Sequence, residues 1–295
     1  MSIQPIKKIL VVGAGQMGHQ IAMCCALAGY ETILQDVQET ALQQAKKTLH
    51  ELMNQWVIKQ KITTLKKEQV FTQLSFTTDL VEGAKEADLV IEAITEKLDV
   101  KRELFSELDK ITPAHTILAT NSSTIVNSLL AEVTERPEKV CNMHFFFPPL
   151  VMQCVEVVMS DQTSEQTAQV ALDVCEQMGK KGFLLRKEIS GFIANRILIA
   201  IQREAIQLYE NGIADYEDID DIVKAALGHK LGPFELIDLS GADVMYYVMA
   251  QQYAETGKEQ DKPPTCIVEK VTAGELGRKT GKGFYSYEKE QTLKS

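Results

Sequence analysis

His144 and Glu156 are the side chains in this sequence whose types and spacing suit acid–base chemistry on an alcohol. An imidazole beside a carboxylate can take a hydroxyl proton, because the carboxylate fixes the tautomer and steadies the imidazolium that forms. Hydride can then leave the carbon that bore the hydroxyl. The two residues lie on apolar, strand-like runs at 140–146 and 154–158, joined through Phe147-Pro148-Pro149, so a turn there would set imidazole and carboxylate side by side. A histidine flanked by Phe145 and Phe146 also fits a satisfied core position, and Glu156 fits a solvated strand face. These residues alone leave both readings open.

A hydride needs an acceptor, and the amino-terminal segment supplies a place for one. Gly13, Gly15 and Gly18, with Gln16 and Met17 between the last two, spell G-x-G-x-x-G directly after the apolar run 9–12 and before a helical pattern through Ile21, Cys24, Cys25 and Leu27. Such a turn brings the positive end of a helix against a pyrophosphate. Asp36 ends a second strand at the distance expected of the acid that accepts the adenosine ribose hydroxyls. A carboxylate there repels a 2′-phosphate and no arginine follows to receive one, so NAD is expected over NADP. His19 and Gln20 are read as packing or surface positions.

The elements that must hold these groups alternate. Strands are expected at 9–12, 32–36, 88–94, 117–120, 140–146, 154–158 and 183–185, with helical stripes at 41–56, 100–108 and 163–178. Runs apolar on both faces imply a parallel sheet covered by helices. The expected fold is therefore α/β, a Rossmann-type doubly wound, mostly parallel sheet over 1–187, followed by a smaller all-α domain over 188–295. Helices at 192–209 and 215–227 open that second domain, the latter with Asp215 at its N-cap.

The net charge of −10 on 295 residues disfavours nucleic acid as a partner. A polyanion such as coenzyme A would need a local basic patch, and Lys59, Lys61, Lys66 and Lys67 form the compact one in the first third. None of the six cysteines makes a C-x-x-C pair or sits at ligand spacing to a histidine, so no metal site is expected and the thiols are read as reduced. Lys7 and Lys8 lead into an apolar stretch that glycines interrupt at once, which suits neither a signal peptide nor a membrane span. A cytoplasmic protein is expected.

Seven segments carry a resemblance. G-A-G-Q-M-G at 13–18, V-I-E-A-I-T-E at 90–96, A-T-N-S-S at 119–123, M-H-F-F at 143–146, V-E-V-V at 155–158, S-G-F-I-A-N-R at 190–196 and G-R-K-T-G-K-G-F-Y at 277–285 occur in this order. Together they resemble the 3-hydroxyacyl-CoA dehydrogenase family, especially its stand-alone bacterial 3-hydroxybutyryl-CoA members. The resemblance implies NAD-dependent, L-specific oxidation of a short-chain 3-hydroxyacyl-CoA by a homodimer. It implies His144 as general base and Glu156 as its partner, with Ser123 and Asn195 contacting the substrate near the reacting carbon. It further implies that Asp36, Glu96, Lys101, Ser123 and Lys279 serve the cofactor and that Lys59, with Ser123, serves the CoA substrate. Dehydrogenases of non-CoA hydroxy acids, carnitine or sugar acids, and a redox-silent NAD-binding protein, are the alternatives. One departure stands out: the family usually has asparagine after His-Phe-Phe, and Phe147 stands there. A ring cannot make an amide's hydrogen bonds beside nicotinamide or substrate. Gln153 likewise stands where a lysine is common.

Overall fold

The computed structural model describes residues 5–287, and the chain divides into two compact units, one ending at Phe192 and the other beginning at Ile193.

In the first unit the elements are β1 (Lys8–Val12), α1 (Gly18–Leu27), β2 (Glu31–Gln35), α2 (Glu39–Ile58), α3 (Thr64–Thr72), β3 (Leu74–Thr77), α4 (Leu80–Ala84), β4 (Leu89–Glu92), α5 (Leu98–Ile111), β5 (Ile117–Thr120), α6 (Ser128–Ala131), β6 (Val140–Phe145), β7 (Cys154–Val158), α7 (Glu165–Gln177) and β8 (Lys181–Leu185). The eight strands form one sheet in the order β3-β2-β1-β4-β5-β6-β7-β8. Every neighbouring pair is parallel except β6 with β7.

The central strands are apolar throughout because both their faces are covered. Along β1, Ile9 and Val11 enter one core with Ile21, Leu34, Ile91 and Met143, while Leu10 and Val12 enter the opposite core with Val90, Phe105, Leu108 and Leu118. Each such side chain contributes about 1.5–3 kcal/mol by leaving water. Strand order reverses between β1 and β4, the place in a doubly wound sheet where the carboxyl ends of strands leave a crevice for a ligand.

Four of these elements were not expected from the sequence: α3, β3, α4 and α6. The β3 run Leu-Ser-Phe-Thr has one fully buried side chain and lies at the sheet edge, so the hydrophobic signal there is weak. The helix expected at 163–178 is α7, capped by Ser164, whose hydroxyl accepts the Thr167 amide at 3.1 Å.

The second unit contains α8 (Ala194–Glu210), α9 (Tyr216–Leu227), α10 (Pro233–Ser240), α11 (Ala242–Thr256) and α12 (Thr265–Thr272) around Ile206, Ile219, Phe234, Ile237, Met249, Ile267 and Phe284. Asp215 does occupy the N-cap of α9, but its side chain makes no capping bond; Glu217 and Asp218 put negative charge in that first turn. Two buried carboxylates organise this unit. Asp220 accepts the Phe234 and Glu235 amides and the Tyr285 hydroxyl, and Asp238 accepts the Phe284 and Tyr285 amides and the Tyr287 hydroxyl. Among the described residues no helix is long and apolar enough to cross a membrane.

Candidate active site

The reversal of direction between β6 and β7 places the acid–base pair. In their antiparallel register His144 faces Glu156 directly, and His144 Nδ1 lies 2.8 Å from Glu156 Oε2. Both are almost wholly buried, at 5% and 3% exposure. A carboxylate accepts, so Nδ1 carries the proton in this bond and Nε2 presents a lone pair, which is the tautomer a general base requires. The Phe146 and Phe192 rings stand 4.5 and 5.3 Å from the imidazole, tilted against it, so it is packed as well as hydrogen-bonded.

The turn after β6 is fastened from below. Pro148 O accepts the Val151 and Met152 amides, each at 2.9 Å. The buried Lys180 ammonium donates to Pro149 O at 2.6 Å and Met152 O at 2.9 Å. From α1, Cys24 Sγ donates to Pro149 O, and the Gln20 side chain accepts the Leu150 amide. No role for Lys180 was read from the sequence, since a lysine beside a second lysine before a strand normally reads as solvated. His19 and Gln20 are both buried, and His19 Nδ1 donates to Gly15 O at 2.6 Å, which braces the glycine turn.

That turn has the shape of a dinucleotide cradle. A Cβ on Gly18 would sit 1.8 Å from Gly13 O, and one on Gly13 would sit 2.6 Å from Ala93 O, so neither position admits a side chain. Around a Cβ on Gly15, by contrast, nothing lies within 4 Å, which leaves the backbone open to a pyrophosphate at the mouth of α1. Asp36 Oδ2 accepts the Ala14 amide at 2.8 Å and Oδ1 the Gln38 amide at 2.9 Å. The carboxylate is thereby locked at the end of β2 with lone pairs to spare for ribose hydroxyls. The residues present fit NAD, with Gly13, Gly15, Gln16, Met17, Gly18 and Asp36 as the ones that would hold its adenosine diphosphate half.

Between these two features runs an ionic chain, buried at Glu92 and Lys101 and open to solvent at Glu96. Lys101, on the inner face of α5 and 1% exposed, donates to Glu92 at 2.6 Å and lies 3.3 Å from Glu96. Glu92 also accepts the Thr120 hydroxyl at 2.6 Å and the Ile94 amide at 2.7 Å. Glu96 accepts the Ser122 hydroxyl, the Ser123 and Thr124 amides, and the Thr124 hydroxyl. Burial alone would raise the Glu96 carboxyl, but the Lys101 ammonium and the Ser122 and Thr124 donors outweigh it and hold it below the usual range. The structure thus brings Glu96, Lys101 and Ser123 together, with Lys101 acting through Glu96 on the 122–124 turn. Asn142 Nδ2 donates to Ser122 O and Ile125 O, and Asn121 Oδ1 accepts the Phe145 amide, which ties the same turn to β6 beside His144. The sequence reading left Asn121, Asn142 and Thr120 without a role.

The remaining candidates stand elsewhere. Lys59 is exposed just beyond α2, near Lys61, whose ammonium lies 5.4 Å from the Trp56 ring centre. In the second unit Asn195 is half-buried in the first turn of α8, and Lys279 is paired with Asp243 at 2.5 Å. The six cysteines are unpaired. Burial pushes Cys24 up to about 11 and Cys141 and Cys175 up to about 12, so none of these three is a poised thiolate.

Residues 8–189 match the NAD binding domain of 3-hydroxyacyl-CoA dehydrogenase, and residues 191–287 match the C-terminal domain of 3-hydroxyacyl-CoA dehydrogenase. The chain belongs to the 3-hydroxyacyl-CoA dehydrogenase family. Among similar proteins, a probable 3-hydroxybutyryl-CoA dehydrogenase of Bacillus subtilis is 39% identical over 97% of this chain and 99% of its own length. The human mitochondrial hydroxyacyl-coenzyme A dehydrogenase is 36% identical over 96% of this chain and 91% of its own. The solved structure of (S)-3-hydroxybutyryl-CoA dehydrogenase from Ralstonia eutropha, 35% identical, superposes with a TM-score of 0.89 and covers 96% of this chain and 99% of that one. As a member of this dehydrogenase family the chain is an NAD-dependent oxidoreductase, and the fold expected from its motifs is the one found.

Proposed function

We propose that the chain interconverts an L-3-hydroxyacyl-CoA and the corresponding 3-ketoacyl-CoA, with His144 as the acid–base group. The observation that carries this reading is the buried His144–Glu156 pair at 2.8 Å on adjacent antiparallel strands. NAD, when bound, supplies the hydride acceptor. His144 Nε2 takes the proton of the 3-hydroxyl while Glu156 stabilises the imidazolium; in the reverse direction the imidazolium returns that proton to the oxygen. Ser123, whose amide is held by Glu96, and Asn195 hold the substrate oxygens, and Lys59 meets the CoA nucleotide.

A homodimer formed through the second unit belongs to the same reading. Its support is the set of apolar side chains left exposed in a single chain on α8, α9 and α11, among them Ile197, Ile222, Leu227 and Tyr247. A cytoplasmic setting is supported by six unpaired cysteines.

Purified chain with NADH tests the activity on acetoacetyl-CoA and on free acetoacetate in parallel. Consumption of NADH with the thioester, and little with the free acid, is the expected result. The reverse preference would reject coenzyme A as part of the substrate.

A further inference from the structure

The turn that follows the catalytic strand displays apolar side chains outward while its backbone is fixed inward. Phe147 is 57% exposed, Val151 59% and Met152 40%. The Pro148 carbonyl accepts the Val151 and Met152 amides, so residues 148–152 close one turn, with Phe147 directly ahead of it. Lys180, Cys24 and Gln20 grip Pro149, Leu150 and Met152 from the opposite side. An exposed apolar surface costs nothing to hide in a mobile loop, but here the anchors prevent it from folding away. A rigid apolar surface beside a reactive group is the signature of a ligand wall.

We infer that Phe147, Val151 and Met152 form the wall for the substrate's acyl tail, and that the enzyme prefers apolar chains longer than four carbons. This rests on the acyl-CoA reading above. Proton transfer places the third carbon of the substrate at the His144 imidazole, and two arms leave that carbon: the thioester arm, which leads to a polyanion, and the hydrocarbon tail. Phe147 follows His144 by three residues, and the turn from 147 to 153 carries no charged side chain, Gln153 included. A neutral, greasy surface gives a polyanion nothing and gives methylenes a place to leave water. A four-carbon substrate has a single methyl group beyond the reacting carbon and cannot cover three side chains. The aromatic ring at 147 acts on the tail, which makes it a specificity-determining residue rather than a lesion in the cofactor site.

The test uses the whole chain, NADH and a series of 3-ketoacyl-CoA thioesters of four, six, eight and ten carbons. If the tail is half covered by the wall, kcat/KM rises about twofold per methylene, so the eight-carbon substrate exceeds the four-carbon one by roughly tenfold or more. Phe147→Asn and Val151→Ser each flatten that slope, while the Kd for NADH, read by fluorescence, stays within about twofold of wild type. Both positions are exposed, so neither change threatens folding. A four-carbon optimum in the wild type overturns the inference and leaves the activity standing. So does a Phe147→Asn variant that changes NADH affinity with the chain-length slope intact, since that would put the ring on the cofactor side. No turnover on any thioester, with NADH still bound, overturns the activity reading and this inference together.

Discussion

Both units bury carboxylates, and Asp220 and Asp238 of the second are held differently from Glu156 and Glu92 of the first. In the second unit, among the described residues, Asp220 and Asp238 accept neutral donors, namely amides at the start of α10, amides of the 284–285 segment, and tyrosine hydroxyls, whereas the buried Asp261 of the same unit pairs with Arg203 at 3.1 Å. In the first unit Glu156 faces an imidazole and Glu92 an ammonium. Asp238 is a knot: a Cβ on Gly277 would fall 2.2 Å from its carbonyl oxygen, and one on Gly283 would fall 2.1 Å from its carboxylate, so these two of the three glycines in the 277–285 motif are required by packing. Glu156 fastens only one end of its partner and leaves the far nitrogen with a lone pair. Burial of an acid therefore does not mark a reactive centre; a partner with an unused valence does.

Breaking the reactive side has the largest expected effect. His144→Gln lowers turnover by about 10²–10⁴-fold with NADH affinity unchanged, measured by steady-state rates and fluorescence titration. Near-wild-type turnover would make the imidazole as structural as Asp238. Glu156→Gln, which removes the charge and disturbs the tautomer, costs about 10–10³-fold in kcat, again with NADH still bound. On the structural side, Asp238→Asn faces two backbone donors with an amide that satisfies them poorly, and loses about 2–3 kcal/mol of stability by denaturant unfolding. Its turnover per folded molecule stays near wild type, and a large loss of kcat instead would erase the distinction between the units.

The smallest expected effect is one of sign. Glu96 titrates below its ordinary value in the fold, so its stabilising contribution is present above about pH 4.5 and fades as pH falls. Asp220 is raised by burial, against the lowering pull of the Phe234 and Glu235 amides and the Tyr285 hydroxyl, so acidification toward 3.8 favours the fold through this group. In thermal melts the advantage of wild type over Glu96→Gln should narrow as pH falls below 4.5, while its advantage over Asp220→Asn should widen toward 3.8. Parallel trends in the two series would contradict the contrast.

Much of the first unit was legible because strands buried on both faces leave unbroken apolar runs; 117–120 and 154–158 coincide with β5 and β7. The pairing of His144 with Glu156 was one of two readings that the residues alone left open, because flanking phenylalanines suit a core histidine equally well, and the family resemblance was what favoured it. The edge strand β3 was not, because a strand covered on few sides needs little hydrophobicity. Nor was the depth of Lys101: at one end of a helical stripe a lysine reads as solvated, and only tertiary packing beneath Glu92 and Glu96 shows otherwise. The closing glycines were visible as a motif, but their packing against Asp238 depends on a residue some forty positions away, which no local pattern encodes.

The single antiparallel step in the sheet has a further consequence for how this chain can vary. Side chains alternate faces along a strand, so inserting or deleting one residue inside β7 ahead of position 156 would turn that position to the far side of the layer and strand the imidazole without its acid. Changes of two residues would restore the facing but slide the pair out of step. The register of that strand pair is thus under as strict a constraint as the identity of the two side chains it joins, while the turn outside the ladder is free to change in length.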